Sequence, residues 1–155
     1  MPNGGNNLKQ KEGYVLDSYA LLAYFEAEPG SETVVKLLET AEEGSCCLYL
    51  CTVNLGEILY NIERERGLQK AQEALARLEE LPIEMINADR PLCLAAAHLK
   101  ALTPIAYADC FAAALATLKD IPLVTGDPEF GKIKPDFNLR IEWLVDKSKH
   151  DSRTK

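Results

Sequence analysis

The chain has 155 residues, 47% of them hydrophobic and 26% charged, the composition of one globular domain, which excludes collagen-like, fibrous and disordered classes. Lys and Arg number 17 against 24 Asp and Glu, a formal net charge of −7. That balance excludes a protein gripping a phosphate backbone by bulk positive charge, but not a local site where acids do chemistry.

Residues 1–12, rich in Asn, Gly and Lys, read as a disordered leader. Residues 14–16 form a short apolar strand ending at Asp17-Ser18, and 19–25 continue at helical spacing. Ser31 caps a helix over 32–43 with Val34, Val35, Leu37, Leu38 and Ala41 on its apolar face, stopped by Gly44. A buried strand over 46–53 leads to a helix from Asn54 to Arg66, ended by Gly67. A helix over 69–81 follows, with Ala71, Leu75 and Leu78 on one face, and then a short strand over 83–86. Asp89 and Pro91 open an Ala-rich helix reaching Ala101. Residues 105–118 form another apolar helix, 121–125 a short strand and 139–144 a last one, before a solvated tail over 148–155. One compact domain thus spans 13–147.

Short apolar strands alternating with longer helices imply a three-layer α/β/α sandwich around a mostly parallel sheet. Ligands bind such sheets outside the carboxyl ends of the strands, where the strand order reverses. Four acids fall at such places. Asp17 follows the first strand, Glu57 lies one turn into the helix after the second, Asp109 opens an apolar helix, and Asp127 follows the strand over 121–125.

Each acid also has a plainer explanation. Asp17 caps the following helix, and Glu57 stands at capping-box spacing from Asn54. Asp109 favours the positive end of a helix dipole, and Asp127, between Gly126 and Pro128, makes a turn. Asp109 fits its plain reading worst, because Ala108, Cys110, Phe111 and Ala112 surround it with apolar side chains. Gathered together, four carboxylates repel one another, and no Lys or Arg lies within two residues of any of them. A divalent cation relieves that repulsion, and oxygen-only ligands select Mg²⁺ or Mn²⁺ over zinc.

At these residues the sequence resembles the PIN-domain ribonucleases, and among them the VapC-type toxins of toxin–antitoxin systems. The matching pieces are Val15-Leu-Asp17-Ser18, Thr52 with Glu57 five residues on, Tyr107-Ala-Asp109 before an Ala-rich helix, and Val124-Thr125-Gly126-Asp127-Pro-Glu-Phe130. The resemblance implies Mg²⁺- or Mn²⁺-dependent hydrolysis of RNA phosphodiester bonds, frequent homodimers, and an antitoxin whose C-terminal segment blocks the acidic pocket; the lack of a signal-like start or a membrane-length apolar run implies a cytoplasmic protein. It implies that Asp17, Glu57 and Asp109 hold the principal metal and that Asp127 completes the pocket. Ser18, Thr52 and Thr125 would be hydroxyls that orient those carboxylates or water.

Lys132 and Lys134 are candidate phosphate contacts, whereas Arg64, Arg66 and Lys70, interleaved with Glu63, Glu65 and Glu73, read as a solvated helix face. The odd set Cys46, Cys47, Cys51, Cys93 and Cys110 reads as reduced, buried thiols. His98 reads as structural, Trp143 as core, and Tyr19, Tyr24 and Phe25 as packing residues. No apolar run reaches the length of a membrane span. A rival reading keeps the fold and gives the acidic pocket a basic partner peptide instead of a catalytic role. A haloacid dehalogenase-type phosphatase needs a second Asp where Tyr19 stands, and a receiver domain needs an acidic pair after the first strand and a later Lys; neither signature is present.

Overall fold

The structure, a computed structural model, describes residues 11–144. Five strands, β1 (Glu12–Leu16), β2 (Cys46–Cys51), β3 (Glu84–Ile86), β4 (Leu123–Thr125) and β5 (Ile141–Trp143), form one parallel sheet in the order β3-β2-β1-β4-β5. The helices are α1 (Ser18–Glu26), α2 (Ser31–Glu42), α3 (Thr52–Arg66), α4 (Leu68–Glu80), α5 (Arg90–Leu102) and α6 (Tyr107–Lys119). Two short 3₁₀ helices, Pro128–Lys132 and Pro135–Phe137, join β4 to β5. This is the three-layer α/β/α sandwich expected from the alternation of elements.

Because successive strand residues point to opposite faces, each strand feeds two cores. Leu16, Leu48, Leu50 and Val124 pack with α1 to α4, through residues such as Leu21, Leu38, Ile58 and Leu78. Val15, Cys51 and Leu123 pack on the other face with α5 and α6, through Leu92, Ala96, Phe111 and Leu115. Each fully buried Leu, Ile or Val contributes about 1.5–3 kcal/mol relative to an exposed one. An apolar body on both faces explains why the strands read as continuous hydrophobic runs.

The strand order reverses at β1. The chain moves from β1 to β2 and β3 on one side, then returns to place β4 and β5 on the other. Leu16 pairs with Val124, so the residues just past both, Asp17 and Thr125, meet at the carboxyl edge. The switch point of the sheet is therefore where the first and last of the four acids emerge.

Several local expectations change. Ser31 is the first residue of α2 and not its cap. The cap position belongs to Gly30 at φ +96°, where an added Cβ would lie 2.9 Å from the Leu144 Cβ, so both conformation and space require glycine. β2 ends at Cys51 and α3 begins at Thr52, two residues earlier than expected, which leaves Asn54 inside the helix. The capping-box explanation of Glu57 falls with that shift. β1 begins at Glu12, paired with Cys46, so the last residue of the expected leader belongs to the sheet. Residues 1–10 of that leader, and the expected tail over 148–155, lie outside the described residues. Asp89 does open α5, its Oδ1 accepting from the Leu92 amide at 3.0 Å.

All five cysteines are free; Cys46, Cys51 and Cys110 are buried, Cys47 and Cys93 half-buried. His98 is exposed, its ring edge-on to Phe137. Trp143 packs partly buried against the α5–α6 side of the sheet. No single helix among the described residues is long and apolar enough to cross a membrane.

Candidate functional site

Asp17 follows β1 in extended conformation and caps α1, its Oδ1 accepting from the Ala20 amide at 2.9 Å. Its other oxygen, Oδ2, accepts from the Thr125 hydroxyl at 2.5 Å. The plain capping role is thus real, but it uses only half of a carboxyl group that is 1% exposed. Burial pushes the Asp17 pKa up to about 7, against the pull of its two hydrogen bonds, and the charges of Asp109 and Asp127 push it further.

Asp109 lies in the first turn of α6 and is 9% exposed. Burial again is the main cause of a pKa pushed up to about 7, followed by the charges of Asp127, Glu57 and Glu129. Asp109 is thus the acid that a helix dipole explains least: burial among apolar neighbours outweighs the favourable helix end.

Glu57, half-buried on α3, accepts from the Ser18 hydroxyl at 2.5 Å, which ties the start of α1 to α3. Asp127 follows β4 and caps the first 3₁₀ helix, its Oδ1 accepting from the Glu129 amide at 2.9 Å. Thr125 serves both segments, because its Oγ1 donates to Asp17 and accepts from the Asp127 amide at 3.0 Å. Two expected hydroxyls, Ser18 and Thr125, therefore touch carboxylates of the set. Thr52 does not: its Oγ1 accepts from the Ala88 amide at 3.1 Å and anchors the segment after β3.

Lys132 pairs with Glu129 at 2.8 Å on the surface, and Lys134 is exposed just beyond it. Arg66 pairs with Glu26, Lys70 with Glu73, and Arg64 lies over the Tyr60 ring, the behaviour of a solvated helix face. Tyr19 departs from a simple packing role. It is 37% exposed, its ring fills the place where a Cβ of Gly126 would be, and its phenol pKa is raised by burial and by the charges of Glu28, Asp127 and Asp17.

Sequence reasoning missed two participants. Glu129 adds its charge to Asp109, and Asn54, 0% exposed, donates from Nδ2 to the Ala108 carbonyl at 3.1 Å. A polar residue at helical spacing from Ile58 and Ile62 was the available signal for Asn54, but the expected helix start hid it.

Four acids from four chain segments thus act electrostatically on one another at the switch point, and the donor set is all oxygen and anionic. In its chemistry the set fits a hard divalent cation. Among the described residues no three His, Cys, Asp or Glu side chains stand close enough to hold an ion jointly. Magnesium does not need such a cage: it binds through one or two carboxylates and keeps its remaining positions for water and substrate phosphate.

The family model for the PIN domain matches residues 14–134, more than half of the chain. A search by sequence among curated proteins finds no match. Among solved structures, a chain of VapBC2 from Rickettsia felis, crystallised with a DNA fragment from its promoter, superposes with a TM-score of 0.68 at 18% identity, covering 86% of this chain and 99% of that one. VapBC-1 from nontypeable Haemophilus influenzae gives 0.64 at 19% identity, covering 86% and 99%. Mycobacterium tuberculosis VapC20, a Sarcin-Ricin loop cleaving toxin, gives 0.61 at 16% identity, covering 76% and 92%. At these identities the likeness is one of fold.

Proposed function

The chain belongs to the PIN domain family, and on that premise we propose that it is a Mg²⁺- or Mn²⁺-dependent endoribonuclease, the toxin of a VapBC-type toxin–antitoxin pair. The observation that carries the reading is the pair of buried carboxyl groups, Asp17 and Asp109, each raised to about 7 and each acting with Asp127. A fold that buries like charges without a basic side chain among them keeps an arrangement that a cation stabilises. The cleaving activity of VapC20 and the VapBC origin of the other neighbours support RNA as the substrate class and an antitoxin as the partner.

One or two of Asp17, Glu57 and Asp109 at a time would hold the ion directly, the others reaching it through its waters, with Asp127 completing the pocket. When bound, the ion supplies positive charge to the phosphate oxygens and lowers the pKa of adjacent water. The chain's own contribution is positional. Thr125 fixes the orientation of Asp17, Ser18 that of Glu57, and the Asp127 cap holds the β4 exit against them. The hydroxyls of Ser18 and Thr125 are already spent on carboxylates, so no protein nucleophile is assigned. Lys132 and Lys134 lie on the segment after Asp127 and would meet phosphate; the exposed Lys132–Glu129 pair is weak enough to open. A homodimer and a cytoplasmic location complete the proposal.

Purified protein incubated with structured RNA should cut it with Mg²⁺ or Mn²⁺ and stop with a chelator. Binding of a Lys/Arg-rich peptide without cleavage under any metal would instead favour the silent binding module.

A further inference from the structure

We propose that Asn54 is a positioning residue that sets the separation between the two acidic walls of the site, one on α3 and one on α6. The inference rests on the nuclease reading above and deepens it.

Three side-chain bonds join the segments that carry the acids. Thr125 to Asp17 joins the exits of β4 and β1, and Ser18 to Glu57 joins α1 to α3. The third runs from the Asn54 Nδ2 on α3 to the Ala108 carbonyl on α6, at 3.1 Å. Ala108 immediately precedes Asp109, so a shift of that carbonyl carries the Asp109 backbone with it. Glu57 lies three residues after Asn54, on the same face of α3. One side chain thus references the wall bearing Glu57 to the wall bearing Asp109.

Stability alone does not explain an asparagine here. Asn54 is 0% exposed, and its Oδ1 is buried with no hydrogen-bond partner. A buried carbonyl oxygen without a donor destabilises the native state, and an apolar side chain of similar shape would avoid that cost. The position accepts the penalty on one atom while the other grips the residue before Asp109. Groups that orient metal-binding side chains from behind typically change affinity by 10–100-fold when removed.

The test is Asn54→Leu in the full chain, titrated with Mn²⁺ alone by calorimetry and followed in parallel by thermal unfolding. The expected result is Mn²⁺ affinity weaker by roughly 10–100-fold, with Tm unchanged or higher because the unpaired oxygen is gone. Asn61→Ala is the control. Its amide also bonds a backbone carbonyl, that of Glu57 at 2.8 Å, but within α3, so it bridges no walls and should leave Mn²⁺ affinity at the parental value. Parental affinity in Asn54→Leu overturns the proposal, whatever happens to Tm. If Asn54→Leu does not fold, Asn54→Ala is judged by the same criterion. A parent protein that binds no Mn²⁺ sinks the metal-dependent reading itself, and this inference with it.

Discussion

Asp17 and Thr125 stand 108 positions apart along the chain and share a hydrogen bond of 2.5 Å across the ends of adjacent strands. The pairing of Leu16 with Val124 makes this contact a consequence of sheet register. A one-residue slip between β1 and β4 would turn the Thr125 side chain to the other face. The register that builds the core also builds the site.

Asp17→Asn should abolish the charge while leaving the cap. The amide oxygen still accepts from Ala20, and its NH₂ group can donate to the Thr125 hydroxyl, so the fold persists. RNA cleavage should fall about 100-fold or more, the scale expected when a group that organises transition-state charge is removed. Cleavage by Asp17→Asn at the parental rate would remove Asp17 from the site.

Asp17 and Asp109 titrate near 7 in the native state, against 3.8 for an ordinary aspartate. Between those values the native protein holds protons that the unfolded chain has already lost. Stability of the metal-free protein should therefore fall as pH rises from about 4 to about 7, then level off. Asp17, fully enclosed, accounts for about 4 kcal/mol of that fall, and Asp109, less deeply enclosed, for less. Urea unfolding at pH 5 and pH 8 measures it. Asp17→Asn should flatten the difference, and an undiminished slope in that variant would assign it elsewhere.

On the proposed metal-dependent reading, protons and cations compete for the same oxygens. Mn²⁺ at a hundred times its dissociation constant should stabilise the protein by about 2.7 kcal/mol at pH 8, seen as a rise of several degrees in Tm. At pH 5.5, with Asp17 and Asp109 protonated, the same concentration should shift Tm much less. An equal shift at both pH values would place the ion away from these two carboxyls.

The Tyr19 ring fills the space over Gly126, where an added Cβ would fall 2.4 Å from Tyr19 Cε1. Gly126→Ala must displace the ring and should cost about 1–3 kcal/mol. In a chain already carrying Tyr19→Ala the same change should be nearly free. A double-mutant cycle on denaturant midpoints reads the coupling, and additive effects would mean that the ring yields without cost.

Much of the fold was legible because both faces of the sheet are covered. Apolar strands such as 46–51 and helices with a clear apolar face, such as α2 and α4, announce themselves by period alone. The four acids were legible for a related reason: each interrupts apolar sequence at the end of a strand or the start of a helix. Boundaries that depend on partners were not. α3 starts at Thr52, whose hydroxyl is taken up by Ala88 from 36 positions away, and nothing local announces that bond. The same early start moved Asn54 from a cap to a buried bridge. Ser31 was read as a cap by residue type, whereas the close approach of Leu144 reserves the preceding position for Gly30. Asp17 and Asp127 both cap helices with Oδ1, so the plain reading holds for each and leaves a second carboxyl oxygen over, which in Asp17 accepts from Thr125.

The distance in sequence between Asp17 and Thr125 also bears on synthesis. A ribosome makes the first acid early, but the hydroxyl that orients it comes 108 residues later, after all six helices. A nascent chain interrupted anywhere before β4 carries Asp17 without that hydroxyl and without Asp127. On the proposed reading, a fragment released by aborted translation lacks part of the acidic set, and only chains that extend past residue 127 carry all four acids.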